Sequence, residues 1–268
     1  MVPATQHREY DIVLGDQAPA LHGVVLGGID GVKRRLASAS VEQRIVALSE
    51  ALKYGEVGLY LVVQALFWDE SEQVKWAAYL QLHAQGNYKF KRVLQECRWR
   101  WDARKILKLY KDGERDFTGV NLNGADLSKA NLNNAILIRA NFSYADLTQV
   151  KLKLANLTEA NLREVNMKCA NLTNANLKDA DLRYSDLIST TLMSANLTNG
   201  NLTGAYLKGA NLGDANLVGA NLSYANLKNA DLIGANLEGA DLEGANLEGA
   251  NLKGATMPDG SKSQQGCE

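Results

Sequence analysis

The chain has 268 residues, 29 Lys and Arg against 30 Asp and Glu, and three cysteines. A formal net charge of −1 names no partner class, and Cys97, Cys169 and Cys267 are too widely spaced for a disulfide framework or a CxxC metal site. The longest apolar stretch, Gly58–Trp68, is interrupted by Gln64 and is too short to cross a bilayer.

In chain order, residues 1–20 are polar and are expected to be poorly ordered. They lack the apolar core of a signal peptide, so a soluble, cytoplasmic protein with free thiols is expected. Residues 21–114 read as a helical domain. Val24 to Leu36 has helical composition with a flexible start at Gly27-Gly28. Ser40-Val41-Glu42-Gln43 is a capping box, after which Ile45, Leu48 and Leu52 line one face. Leu59, Val62, Val63 and Leu66 line the next helix, and Asp69-Glu70-Ser71 turns the chain and caps another. That helix is expected to bury Val74, Ala77, Ala78 and Gln81. The last helix before Gly113 places Trp99, Ala103, Ile106, Leu107 and Tyr110 on one side. These antiparallel pairs, with Asp69-Glu70-Ser71 leading into Val74, Ala77 and Ala78, resemble HEAT-type repeats over about residues 40–97.

From Phe117 to Leu252 every fifth residue is Leu, apart from Phe117, Phe142 and Met167, giving 28 units in unbroken register. Two residues before each stands a small residue, usually Ala, and between them usually Asn or Asp. A period of five is neither helical nor extended. It reads as a short extended piece plus a corner, with the small residue and Leu sharing the inward face. Gly fills the second corner position ten times and Asn four times, which points to type II turns with φ > 0. A chain of this kind winds into a solenoid whose units are stable only when stacked.

These A(N/D)LXX units resemble the pentapeptide-repeat family over about residues 116–257. The resemblance implies an α + β chain in which a right-handed, four-sided parallel β-helix of about seven coils, residues 115–257, follows the small α-helical domain. Each coil then holds four of the five-residue units. Tyr144, Tyr184 and Tyr224 recur at an interval of eight units, or two such coils, which independently favours four sides over three. Helical leaders ahead of such arrays occur in cyanobacterial proteins, so a cyanobacterial origin is expected. Ser185 and Thr190 place hydroxyls in the interior, where each needs a carbonyl or water. Gly200 is expected to leave a methyl-sized gap. Residues 258–268 read as a disordered tail.

No catalytic centre emerges. His7, His22 and His83 have no carboxylate or Cys at metal-ligand spacing, and Gly27–Lys33 lacks the spacing and hydroxyl of a phosphate loop. No enzyme, cofactor or metal is expected. Segment 89–111 has nine basic residues interleaved with Trp99, Trp101, Tyr88 and Phe90. Nucleic-acid binding there is one alternative, but packing already explains the apolar spacing, so Trp99, Ile106, Leu107 and Tyr110 are read as the cap of the solenoid. In coils of four units, Tyr144, Tyr184 and Tyr224 share one corner, with Arg163 and Arg183 just before it. Rigid aromatic and Arg groups make this the candidate partner-binding edge. The expected function is a non-enzymatic scaffold or regulator that binds an unidentified protein, with a homodimer through the uncovered C-terminal coils. Relatives that mimic DNA to protect gyrase supply a second alternative. Here 11 basic residues interrupt 14 acidic ones over residues 116–257, which is thin for a mimic of phosphates.

Overall fold

A computed structural model describes residues 28–84, without the His83 side chain, and residues 102–263. The chain divides into two units between Trp99 and Arg100. The expectation that one helical domain runs to residue 114 is therefore revised: the last helix, residues 103–111, belongs with the repeats.

The first unit contains α1 (Ile29–Leu36), α2 (Val41–Ala51), a 3-10 turn (Leu52–Tyr54), α3 (Gly55–Trp68) and α4 (Glu72–Ala84). Ser40 caps α2 by accepting from the Gln43 N–H at 3.3 Å. The reciprocal half of the capping box is replaced. The Ser38 hydroxyl accepts from the Ser40 N–H and donates to Gln43 Oε1. Helices α2 and α3 cross at Gly58, where a Cβ would lie 1.6 Å from the Ala51 carbonyl oxygen, so only glycine permits this approach. Arg44 of α2 ties down the turn before α4, Nη2 donating to Asp69 Oδ1 at 3.2 Å, and Asp69 also accepts the Ser71 N–H.

The core of this unit is Val32, Ala47, Leu48, Ala51, Val62, Val63, Leu66, Val74, Ala78 and Leu82. The expected face of α3 is present. That of α4 is shifted: Val74, Trp76, Ala78 and Leu82 are buried, while Ala77 and Gln81 are only half-buried. The Trp76 ring stacks on Tyr79 at 5.0 Å, so aromatic bulk overrides the simple apolar spacing. The start of the expected Val24–Leu36 helix and the residue 85–101 region lie outside the described residues.

The second unit opens with α5 (Ala103–Lys111). Asp102 caps it, accepting from the Lys105 N–H at 2.9 Å. Gly113, at φ +101, ends it, and the Glu114 N–H reaches back to the Leu109 carbonyl. This is a Schellman stop, which needs a residue at positive φ.

The repeats then form a stack in which each outward Asn or Asp pairs in parallel with its counterpart four units on, as in Asn121 with Asn141 and Asn161 with Asp181. Between stacked units the same bonds recur. The Leu N–H donates to the following coil, as Leu122 does to the Asn141 carbonyl, and the Asn or Asp N–H donates to the preceding coil, as Asn141 does to the Val120 carbonyl. At each corner the small residue's N–H returns to the preceding Leu carbonyl, as Ala125 does to Leu122. The second corner residue has positive φ even when it is Lys129, Tyr144 or Leu154. A non-glycine residue there costs on the order of 1 kcal/mol, and the stacking bonds offset it. The shared geometry explains the Asn/Asp preference as well. Its Oδ1 accepts the N–H two residues on, as Asp126 does from Ser128 at 2.9 Å, bracing the start of the corner.

Inside, the Leu and Ala columns are buried from Leu127 to Leu237. Ser185 Oγ donates to the Leu182 carbonyl at 2.7 Å and Thr190 Oγ1 to the Met167 carbonyl at 2.8 Å, so both interior hydroxyls find backbone acceptors. Leu202 Cδ1 stands 3.6 Å from where a Gly200 methyl would be and takes up part of the expected gap. The tail is not disordered from Pro258. It turns at Gly260, Lys262 pairs antiparallel with Thr256, and the Ser263 N–H donates to the Ala255 carbonyl.

Candidate functional site

The inward half of every unit is committed to packing, so chemistry can reside only on the outward positions. Part of the charge there is internally neutralised. Arg139 pairs with Glu159 at 2.8 Å, Lys168 with Asp186 at 2.9 Å and Lys228 with Glu248 at 2.7 Å. Cys169 is an exposed corner residue at φ +55. In the helical unit a concavity of about 550 Å³ is lined by Leu36, Val57, Leu61 and Trp68. The one carboxylate among its lining residues, Asp69, is held by Arg44.

Tyr144, Tyr184 and Tyr224 do share one corner, two coil steps apart, because equivalent positions of successive coils stack throughout. They are 58%, 50% and 65% exposed. Their rings lean toward the following coil. A Cβ on Gly204 would sit 2.7 Å from the Tyr184 ring, and one on Gly244 2.7 Å from the Tyr224 ring. Glycine one step after each of these tyrosines therefore gives the ring a bed. Tyr144 is followed instead by Glu164, to which its hydroxyl donates at 3.3 Å.

The two arginines are placed differently from each other. Arg183 turns back onto its own unit, Nε and Nη2 donating to Asp181 at 2.8 and 2.6 Å. The guanidinium holds the Asp181 carboxyl below its ordinary range, and the carboxylate in turn raises Arg183. Arg163 donates to Glu164 at 3.1 Å and its guanidinium carbon stands 5.9 Å from the centre of the Tyr184 ring. Arg163 and Tyr184 are thus brought together, while Arg183 points its charge at Asp181. Spacing showed which residues share the corner. The bed of glycines was equally readable, since Gly204 and Gly244 each follow a tyrosine by one coil.

The two ends of the stack differ. At the first coil Leu122, Leu127 and Leu132 are buried. Ile106 and Leu109 of α5 are buried too, and the Tyr110 hydroxyl donates to the Asn133 carbonyl at 2.8 Å. Arg115 lies over the Tyr110 ring at 4.0 Å. Leu109, which the helical spacing left out, is buried where Leu107 is only half-buried. Trp99 and most of the basic segment 89–111 lie outside the described residues. At the last coil Leu242 and Leu247 are half-exposed, and the N–H groups of Leu242, Gly244, Leu247 and Gly249 donate to no backbone carbonyl among the described residues.

A stack of five-residue units with an inward Leu, an inward Ala and an outward Asn or Asp defines a repeat solenoid. The pentapeptide-repeat family model matches residues 116–153, 155–192, 185–223 and 220–258, just over half of the chain. The protein belongs to the pentapeptide-repeat family. Among solved structures it is similar to HetL, a pentapeptide repeat protein involved in heterocyst differentiation regulation from the cyanobacterium Nostoc sp. strain PCC 7120. The identity is 32% over 60% of this chain and 99% of that one, with a TM-score of 0.30. It is also similar to a pentapeptide repeat protein of the Arabidopsis thaliana thylakoid lumen, at 32% identity over 40% of this chain and 68% of that one, TM-score 0.20. QnrB1, a plasmid-mediated fluoroquinolone resistance protein, is 16% identical over 54% and 83%, TM-score 0.32. Comparison with curated proteins finds no match. Among the described residues no helix is long and apolar enough to cross a membrane, and no group of His, Cys, Asp and Glu is placed to hold a metal ion.

Proposed function

We propose that this protein is a non-enzymatic scaffold or regulator: a right-handed, four-sided column of about seven coils that binds a partner protein through its tyrosine corner. The observation that carries the reading is the half-exposed column of Tyr144, Tyr184 and Tyr224, bedded on Gly204 and Gly244 and braced by Arg163. Rings with little freedom lose little entropy on binding, which suits them as anchors. Cytoplasmic localisation and a HEAT-like role for the helical unit accompany this reading. Cations placed among the acids of the coils, as Arg139 beside Glu159, Lys168 beside Asp186 and Lys228 beside Glu248, break up the run of negative charge that the DNA-mimic alternative needs.

The half-exposed Leu242 and Leu247 and the unpaired N–H row beside them support a homodimer through the C-terminal coils. An open sheet edge joined two-fold to its copy closes, whereas head-to-tail stacking would run on into fibres.

Affinity capture from the native host tests the binding edge. The wild type should retain a protein that the Tyr184→Asn variant loses, with nearly unchanged melting curves, since Asn174, Asn199 and Asn229 hold the same positive φ. Retention of the same proteins by both would refute the tyrosine corner as the binding edge.

A further inference from the structure

The tyrosine corner has a period. Successive tyrosines stand two coil steps apart, which at the usual spacing between paired strands is about 9.6 Å. A polyproline II helix repeats every three residues, or roughly 9.3 Å. Over the two intervals from Tyr144 to Tyr224 the mismatch accumulates to only about 0.6 Å. A chain with proline at every third position would therefore set one pyrrolidine ring on each tyrosine without either partner deforming.

The chemistry agrees with the spacing. The rings of Tyr184 and Tyr224 lie over Gly204 and Gly244, so each presents an aromatic surface above the coil that follows it, and Glu164 stands between Tyr144 and Tyr184. Their positions are fixed by backbone at φ +57. Proline-rich segments bind aromatic surfaces of this kind because they are already extended and lose little entropy. The Tyr224 hydroxyl reaches Glu243 only at 3.3 Å, a long bond that a ligand carbonyl can replace.

The corner also has polarity. Toward the last coil it ends at Glu243 and Asp241, neither of which forms an ion pair among the described residues. At its middle, Arg163 and Arg183 are already matched by Glu164 and Asp181. A ligand's positive charge is thus complemented at one end only.

We propose that the corner of Tyr144, Tyr184 and Tyr224 binds a proline-rich segment in the polyproline II conformation, with prolines three residues apart and a Lys or Arg at the end facing Glu243. This rests on the reading of the same corner as the protein-binding edge and names the partner's chemistry.

The test is fluorescence anisotropy with a labelled peptide of Pro-Pro-Ala repeats, about nine residues or three turns long, ending in two arginines. Its control has alanine in place of every proline. Asparagine is the substitution of choice at the corner, because Asn174, Asn199 and Asn229 hold the same positive φ. The full-length protein should bind the proline peptide saturably and the alanine peptide not. Tyr184→Asn and Tyr224→Asn should each weaken binding at least about tenfold, as loss of an anchor does. Tyr206→Asn, which removes an exposed tyrosine outside the column of Tyr144, Tyr184 and Tyr224, should change nothing. Glu243→Gln should weaken the arginine-ended peptide and leave a neutral-ended one unaffected.

No saturable binding, equal binding of the alanine peptide, or equal loss in Tyr206→Asn would overturn the proposal. If the peptide fails but Tyr184→Asn still loses a protein captured from the host, the proline-rich ligand is refuted and the binding edge stands. If capture is also unaffected, the binding edge itself is refuted.

Discussion

Leu177 lies at mid-stack with no exposed surface, and its N–H donates to the Asn196 carbonyl at 2.7 Å. Leu157 and Leu197, one coil step to either side, are equally buried. Leu177→Ala removes three buried carbons, worth about 2.4 kcal/mol at about 0.8 kcal/mol each. The hole cannot close readily, because backbone bonds on both sides fix the distance between coils. A residual cavity of about 60 Å³ at about 24 cal/mol per Å³ adds about 1.5 kcal/mol. The expected loss is therefore about 4 kcal/mol. Lys178, the next residue, is half-exposed and only loosely paired with Asp179 at 3.9 Å. Lys178→Ala should stay within about 0.5 kcal/mol. Urea denaturation of the full-length protein, followed by far-UV circular dichroism, measures both. Equal effects of the two substitutions would refute the inward assignment of Leu177 and with it the five-residue register.

Removing residues 1–112 should make the repeats aggregate by uncovering the first coil, whereas removing only residues 1–101, which keeps α5, should leave them soluble; light scattering of the two truncations decides, and equal solubility would refute the capping role. Light scattering of the intact chain should show a dimer at tens of micromolar, and Leu247→Lys should give a monomer, since it places charge on the exposed end; a wild-type monomer would refute the C-terminal interface. Asp181 has a folded-state pKa below its ordinary value, chiefly through its hydrogen bonds from Arg183. Its contribution is then fully present above about pH 4 and lost as pH falls through the lower folded value. Asp181→Asn, which keeps the acceptor for the Arg183 N–H, should flatten the acid limb of the stability curve, and parallel curves would contradict this. Thr190→Ala restores the residue found at Ala170 and Ala210 in the same column. It should cost no more than about 1 kcal/mol by thermal melting, because the Met167 carbonyl still accepts the Ala170 N–H; a larger loss would mean that the hydroxyl is required.

Much of this protein was determined by its sequence alone, and for one reason. In a solenoid each unit meets only its neighbours, so a local pattern repeated 28 times specifies the packing without long-range information. The inward Leu and Ala, the corners at positive φ and the shared corner of the three tyrosines all follow from register, whereas Ser185 and Thr190, alike in register, donate to carbonyls of their own and of the preceding coil. The tertiary structure decided what register cannot express. Arg163 and Arg183 hold equivalent positions, yet one faces Tyr184 and the other Asp181, because each long side chain chooses among neighbours on several coils. The shifted face of α4 depended on where Trp76 could be buried, and the close crossing at Gly58 on how α2 and α3 meet. Helix α5 reads as part of a helical domain by composition. It groups with the repeats instead, where the Tyr110 hydroxyl donates to the Asn133 carbonyl, a bond between residues no local pattern connects.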